Sequence, residues 1–139
     1  MPTTFSAQDA LVATMVLTAA ADGAMSEPET RSVARMLDGI PSLAGFDQSR
    51  FGEISAVVVE MLGEEEGIDQ TFDLIAGALP DRLRETAYAL ACDVAAADGA
   101  VEIEETRLLE LMRHALGVER LAAAAIERGA RARHARLKG

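Results

Sequence analysis

AAADGAVEIEETR, residues 95–107, repeats at nine of thirteen positions the stretch AAADGAMSEPETR of residues 19–31, found 76 residues earlier. The alanine matches carry little weight in so alanine-rich a chain. The Asp-Gly pairs (Asp22-Gly23 and Asp98-Gly99) and the Glu-Thr-Arg triplets carry most of it. An Asp-Gly pair between two periodic apolar segments reads as a turn, because Gly takes positive φ freely and Asp folds back onto nearby backbone N–H groups. Upstream of the first turn, Leu11, Met15 and Ala19 share one helical face with Val12 and Val16 beside them, so this helix is expected to be buried on most of its circumference and to run to about Asp22. Downstream, Ser26-Glu27-Pro28-Glu29 reads as a capping box with Pro in the first turn, and Val33, Met36, Leu37 and Ile40 form the stripe that follows. The second turn has the same frame. Leu83, Ala87, Leu90, Val94 and Ala97 lead into it, and Leu108, Leu109, Met112 and Leu116 lead away before a stop at Gly117. The fold therefore reads as all-α with an internal duplication, helix–DG turn–helix at 1–40 and again at 80–117.

Between and beyond the two units the same period gives the remaining helices. Asp47 precedes a stripe of Phe51, Ile54, Val58 and Met61. Ile68, Phe72, Ile75 and Leu79 form the next, and Pro80 marks the first turn of the helix that enters the second DG turn. A last helix starts near Val118 and crosses Ala122–Ala125, with Gly129 as a weak point. Ser6 with Asp9 three residues on suggests the start of the first helix, the short acid standing in for the usual Glu or Gln. About seven helices in one domain, 1–139, is the expectation. With 139 residues, 50% of them apolar and 4% aromatic, the chain can bury a core without staples and favours helix over strand.

The formal charge of −10 is unevenly placed. Residues 127–139 hold five basic side chains (Arg128, Arg131, Arg133, Arg136 and Lys138) against one acid, which leaves 8 basic and 22 acidic residues, or −14, for the rest. Such a body repels phosphates and attracts cations, so nucleic acid is not expected as a partner, and the basic end is expected to lie solvated or against the acidic body. The lone Cys92 makes no internal disulfide. Without a signal segment or a long apolar run, a cytoplasmic location without membrane insertion is expected.

Each DG turn carries D-G-x5-E, the second half of an EF-hand calcium loop. The first half is missing. Thr18 and Ala20, or Val94 and Ala96, stand where the earliest oxygen ligands belong, so a complete EF-hand is not expected. Turn chemistry explains much of the pattern, since Glu29 can close a box to Ser26. Yet a carboxylate at a helix C-terminus opposes the dipole, and both copies hold Asp there. Its partner is either the N–H groups of the next helix start or a cation. An approximate twofold would join Asp22 and Glu29 to Asp98 and Glu105 as an all-oxygen cluster for a hard divalent ion, with Ca, Mg, Mn and Zn as the candidates. The second turn has Glu102 in place of the Ser cap, one more acid, and is the stronger cation candidate. The Glu64-Glu65-Glu66 run reads as a solvated charge run without chemistry.

The duplicated A-A-D-G turn, the run LRETAYALACDVAAADGAVEIEE from Leu83 to Glu105, and its continuation through LLELM and LGVERLAAAAIERGARARH resemble the tellurite-resistance protein B (TerB) family of bacteria. The resemblance implies a seven-helix acidic bundle, a stress-response or oxyanion-resistance setting, and metal binding through the acids of the DG turns. In this chain the matching positions are Asp22, Glu29, Asp98 and Glu105. It also implies work in a multiprotein assembly with a membrane-anchored partner, which would recruit the protein to the inner face of the membrane. The fusion of a similar domain to a co-chaperone J-domain favours an adaptor.

Catalysis is not expected. His114, four residues after Glu110, reads as half of an exposed ion pair, and His134 falls in the basic end. Cys92 has no cation beside it in sequence to lower its pKa and reads as a packed, inert thiol. No phosphate loop, dinucleotide motif or zinc spacing occurs. The readings carried forward are an acidic, divalent-ion-binding adaptor and, as the alternative, a cofactor-free helical interaction module whose DG turns are structural.

Overall fold

The computed structural model describes residues 4–21, 25–97 and 103–138. Among them run seven helices: α1 (Ala7–Ala19), α2 (Glu27–Met36), α3 (Phe51–Leu62), α4 (Gly67–Ala78), α5 (Arg84–Ala97), α6 (Ile103–Leu116) and α7 (Arg120–Arg133), and no strand. The first helix is the axis of the bundle. Eleven of its thirteen residues are buried, and α2, α3, α4, α5 and α6 all pack on it. Burial on every side requires its polar groups to be satisfied internally. The Thr14 hydroxyl donates to the Ala10 carbonyl at 2.7 Å, and that of Thr18 to the Thr14 carbonyl at 2.9 Å.

Local chemistry sets the helix ends. Ser6 Oγ accepts from the Asp9 N–H at 3.0 Å while Asp9 Oδ2 accepts from the Ser6 N–H at 3.1 Å, so the short acid closes a full capping box. The helix itself stops at Ala19, with Ala20 and Ala21 in a turn, earlier than the expected limit near Asp22. Asp47 caps a 3₁₀ turn, Gln48–Arg50, that feeds α3, its Oδ1 accepting from the Ser49 N–H at 3.0 Å. Gly67 opens α4 where a Cβ would collide with the Met61 carbonyl, so a glycine is needed for the tight corner that joins α3 to α4. Gly117 has φ +68°, and the Val118 N–H donates to the Arg113 carbonyl at 3.0 Å. Together they form the left-handed stop that ends α6 and turns the chain into α7.

Three further expectations are corrected. Ile68 is exposed at the first turn of α4, and the buried face there is Thr71, Phe72, Ile75 and Leu79. Pro80 lies ahead of α5, separated from it by a 3₁₀ turn at Asp81–Leu83. Gly129 does not interrupt α7, although the helix ends at Arg133 and the rest of the basic end is not helical. No described helix is long and apolar enough to cross a membrane.

The two DG units diverge beyond their turns. Numbering offset by 76 pairs the buried Leu108, Met112 and Leu116 of α6 with Ser32, Met36 and Ile40, whereas the first unit buries Val33 of α2 and Leu37 just beyond its end. The second helices thus bury different faces. The duplication stands as a feature of the sequence.

Candidate functional site

Asp22 and Asp98, the aspartates of the two DG turns, lie outside the described residues, as does Glu102. Their partners in the motif are described, and they differ. Glu29 Oε1 accepts from the Ser26 N–H at 3.0 Å, and Ser26 Oγ accepts from the Glu29 N–H at 3.2 Å. That carboxylate closes the expected capping box and is committed to the start of α2. Glu105, its counterpart in the first turn of α6, is only 8% exposed. A carboxylate is rarely buried so far without compensation from hydrogen bonds, an opposite charge or a metal. Among the described residues no three His, Cys, Asp or Glu side chains gather as metal ligands. Glu29 and Glu105 are thus not part of a cluster of metal ligands among the described residues.

A second constellation lies where α5 carries α6 on one side and α7 on another. The Tyr88 hydroxyl, on a buried ring, donates to Glu127 Oε2 of α7 at 2.7 Å. Burial, reinforced by this bond, pushes the phenol well above its ordinary range. One turn on, Cys92 is buried, and its thiol is pushed up to about 12, first by burial and then by the Glu127 charge. Arg133 works in the opposite direction, a cation that the fold brings near although the sequence places none beside Cys92. The thiol is packed as expected, and burial outweighs the guanidinium in holding it protonated. Next to it, Asp93 Oδ1 accepts from Arg133 Nη2 at 2.6 Å, and His134 Nε2 lies 3.4 Å from the same oxygen. The end of α7 is thus tied down on the acidic body.

Between these helices is a cavity of about 330 Å³. Its floor is Tyr88, Cys92 and Ala95 of α5, and its walls include Leu109 of α6 and Ala130 of α7. Sequence reading missed this seam because periodicity gives a helix its faces and not its neighbours. One signal was present. Offset by 76, the fully buried Val12, Val16 and Leu17 of α1 become Tyr88, Cys92 and Asp93, so polar groups replace hydrocarbon along one side of the second unit.

The remaining charge pair that organises the fold is structural. Arg50 grips Asp9 through Nη2 at 2.7 Å and Nε at 3.1 Å. Burial works to raise the Asp9 carboxyl, but the hydrogen bonds from Arg50 and Ser6 outweigh it and hold the group below its ordinary range. This clamp ties the start of α3 to the start of α1. Glu64, Glu65 and Glu66 are exposed, in keeping with a solvated run, and His114 is exposed with its Nε2 3.2 Å from Arg113 Nη2.

Comparison with known families gives a match over most of the chain. The model described as tellurite resistance protein TerB covers residues 8–128, from the first turn of α1 into α7. No curated protein and no solved structure matches the chain.

Proposed function

The chain belongs to the TerB family, and from that membership we propose that it is a non-catalytic, cytoplasmic stress-response adaptor that binds a divalent cation at its second DG turn. The observation that carries this reading is the placement of Glu105, a nearly buried carboxylate, in the first turn of α6 at the closing position of the D-G-x5-E pattern. With Asp98 and Glu102 close by in sequence, Glu105 belongs to an all-carboxylate donor set that suits a hard ion such as Ca²⁺, Mg²⁺ or Mn²⁺ better than a soft one, with Zn²⁺ as the borderline case. A bound cation would neutralise these acids. The chain's own part is to hold Glu105 at the start of α6 and to pass any change in the α5–α6 angle to a protein partner, of which a membrane-anchored complex is the proposed instance. The raised Cys92 thiol supports the non-catalytic half of the reading, since such a group is a poor nucleophile near neutral pH.

A second reading is favoured by the Ser26–Glu29 box. If both turns are purely structural, the protein is a cofactor-free interaction module. Calorimetric titration of the metal-stripped chain with Ca²⁺, Mg²⁺, Mn²⁺ and Zn²⁺ separates the two. The adaptor reading expects micromolar binding that Asp98→Ala and Glu105→Gln abolish, with Asp22→Ala having the smaller effect. The absence of heat with every ion would return the acids to turn chemistry.

A further inference from the structure

The cavity beside Tyr88 is shaped by how three helices meet. Both α6 and α7 pack on α5, and they are joined to each other at the Gly117 corner. The cavity is lined by Thr106 and Leu109, near the start of α6, and by Glu127 and Ala130, near the end of α7. It therefore lies at the end of the α6–α7 hairpin away from the corner. Alanines at 95, 96 and 130 leave the space that larger side chains would fill, and at about 330 Å³ the cavity is at the lower end of the volumes that hold small ligands.

The lining has an apolar floor and an acidic edge. Glu110 and Glu127 stand against one cation, the exposed Arg131. Glu127 is held in place, because the Tyr88 hydroxyl occupies one lone pair of Oε2 and the ring behind it is buried. A carboxylate accepts about four hydrogen bonds, so this bond orients the group without exhausting it. We infer that the α5–α6–α7 cleft is a binding site for a small organic cation, a protonated amine on an apolar body. The apolar part lies on Tyr88, Cys92 and Leu109, and the ammonium meets Glu127 with Glu110 at the rim. The net charge of −10 on the whole chain favours a cation at long range. This inference does not depend on divalent-ion binding.

The composition supplies the reporters. The chain has one tyrosine, one cysteine and no tryptophan, so tyrosine emission and thiol modification both read the floor of the cleft alone. The full-length protein, with a chelator present throughout, is titrated with hexylammonium and phenethylammonium, and in parallel with hexanol and hexanoate. Saturable changes in Tyr88 emission and slower Cys92 modification are expected with the ammonium ions only. Glu127→Gln keeps an acceptor for Tyr88 and removes the charge, and it should weaken ammonium binding by about tenfold or more. Glu110→Gln should weaken it less. Equal binding of the alcohol or the carboxylate, no response to any of the four, or an unchanged affinity in Glu127→Gln would overturn the inference. Should Glu127→Gln fail to fold, the exposed Glu110→Gln and the ligand series on the unaltered chain still decide it.

Discussion

The helices that lead into the two DG turns share a sequence frame and are used in opposite ways. In α1 the positions Val12, Val16 and Leu17 are hydrocarbon, all fully buried in the centre of the bundle. In α5 the corresponding positions are Tyr88, Cys92 and Asp93, and they meet the polar face of α7. The first helix is enclosed by five others and has no side left for a ligand. The second is covered on one flank by a helix that itself packs on little else, and its polar groups and cavity collect there. A repeated turn thus fixes where a helix ends and leaves its role to its surroundings. One copy became core on every side, and the other kept one polar flank.

Exchanging the residues of the two units should break this contrast most severely at Leu17. Leu17→Asp puts the Asp93 side chain into a position with no exposure and no partner such as Arg133. Burying an unpaired carboxylate there should cost about 4 kcal/mol or more, enough to unfold a domain of ordinary stability, and urea denaturation followed by circular dichroism will measure it. The next largest effect concerns Asp9, whose counterpart Glu85 is exposed at the start of α5. Asp9→Ala removes the Arg50 clamp and half of a capping box, and should cost on the order of 2 kcal/mol, while Glu85→Ala should be close to neutral. The folded pKa of Asp9 is depressed below its ordinary 3.8, so its contribution is fully present above that value and is lost as pH falls through the folded one. Denaturation between pH 5 and about pH 2 should therefore show a steeper acid loss in the unaltered chain than in Asp9→Asn.

These residues also mark what could be read from the sequence. The starts of α1 and α2 and the end of α6 were legible because their causes are local: Ser6 with Asp9, Ser26 with Glu29, and the glycine at 117. The near-complete burial of α1 was legible from apolar residues on more than one face. The pairs Asp9–Arg50, Tyr88–Glu127 and Asp93–Arg133 were not, since their partners lie 41, 39 and 40 residues apart and no local rule chooses them. Ile68 was misplaced because hydrophobicity decided the stripe. Thr71 took the buried position, its hydroxyl satisfied by the Gly67 carbonyl at 2.7 Å. At the candidate site, the commitment of Glu29 to a box followed from spacing. The burial of Glu105 did not, because it depends on packing that a repeat of thirteen residues does not encode.

Tyr88 tests the polar side of the contrast at a smaller scale. Tyr88→Phe preserves the buried ring and removes only the hydroxyl that orients Glu127. About 1 kcal/mol of stability should be lost, read from the shift in denaturation midpoint. Cys92 gives a second readout. Its thiol is raised to about 12 by burial and by Glu127, so modification at pH 8 should be slow in the unaltered chain and faster in any variant that opens the α5–α7 seam.

The smallest effect on stability should come from Asp93→Leu, which gives the second unit the residue of the first. Asp93 is 22% exposed and Arg133 54%, so their ion pair is solvent-screened and its loss should change global stability by less than about 1 kcal/mol. The local consequence is larger than the global one. Asp93 holds both Arg133 and His134, and beyond them Arg136, Leu137 and Lys138 are already exposed. Without that anchor the last turn of α7 should fray, and trypsin should cut at Arg131 and Arg133 faster while the melting transition stays in place. Unchanged cleavage would mean that apolar packing of Ala130 on α5 holds the helix end alone. In that case the polar side of the second unit owes its order to the same hydrocarbon contacts as the first, and the contrast between them would narrow to Tyr88, Glu127 and the cavity they border.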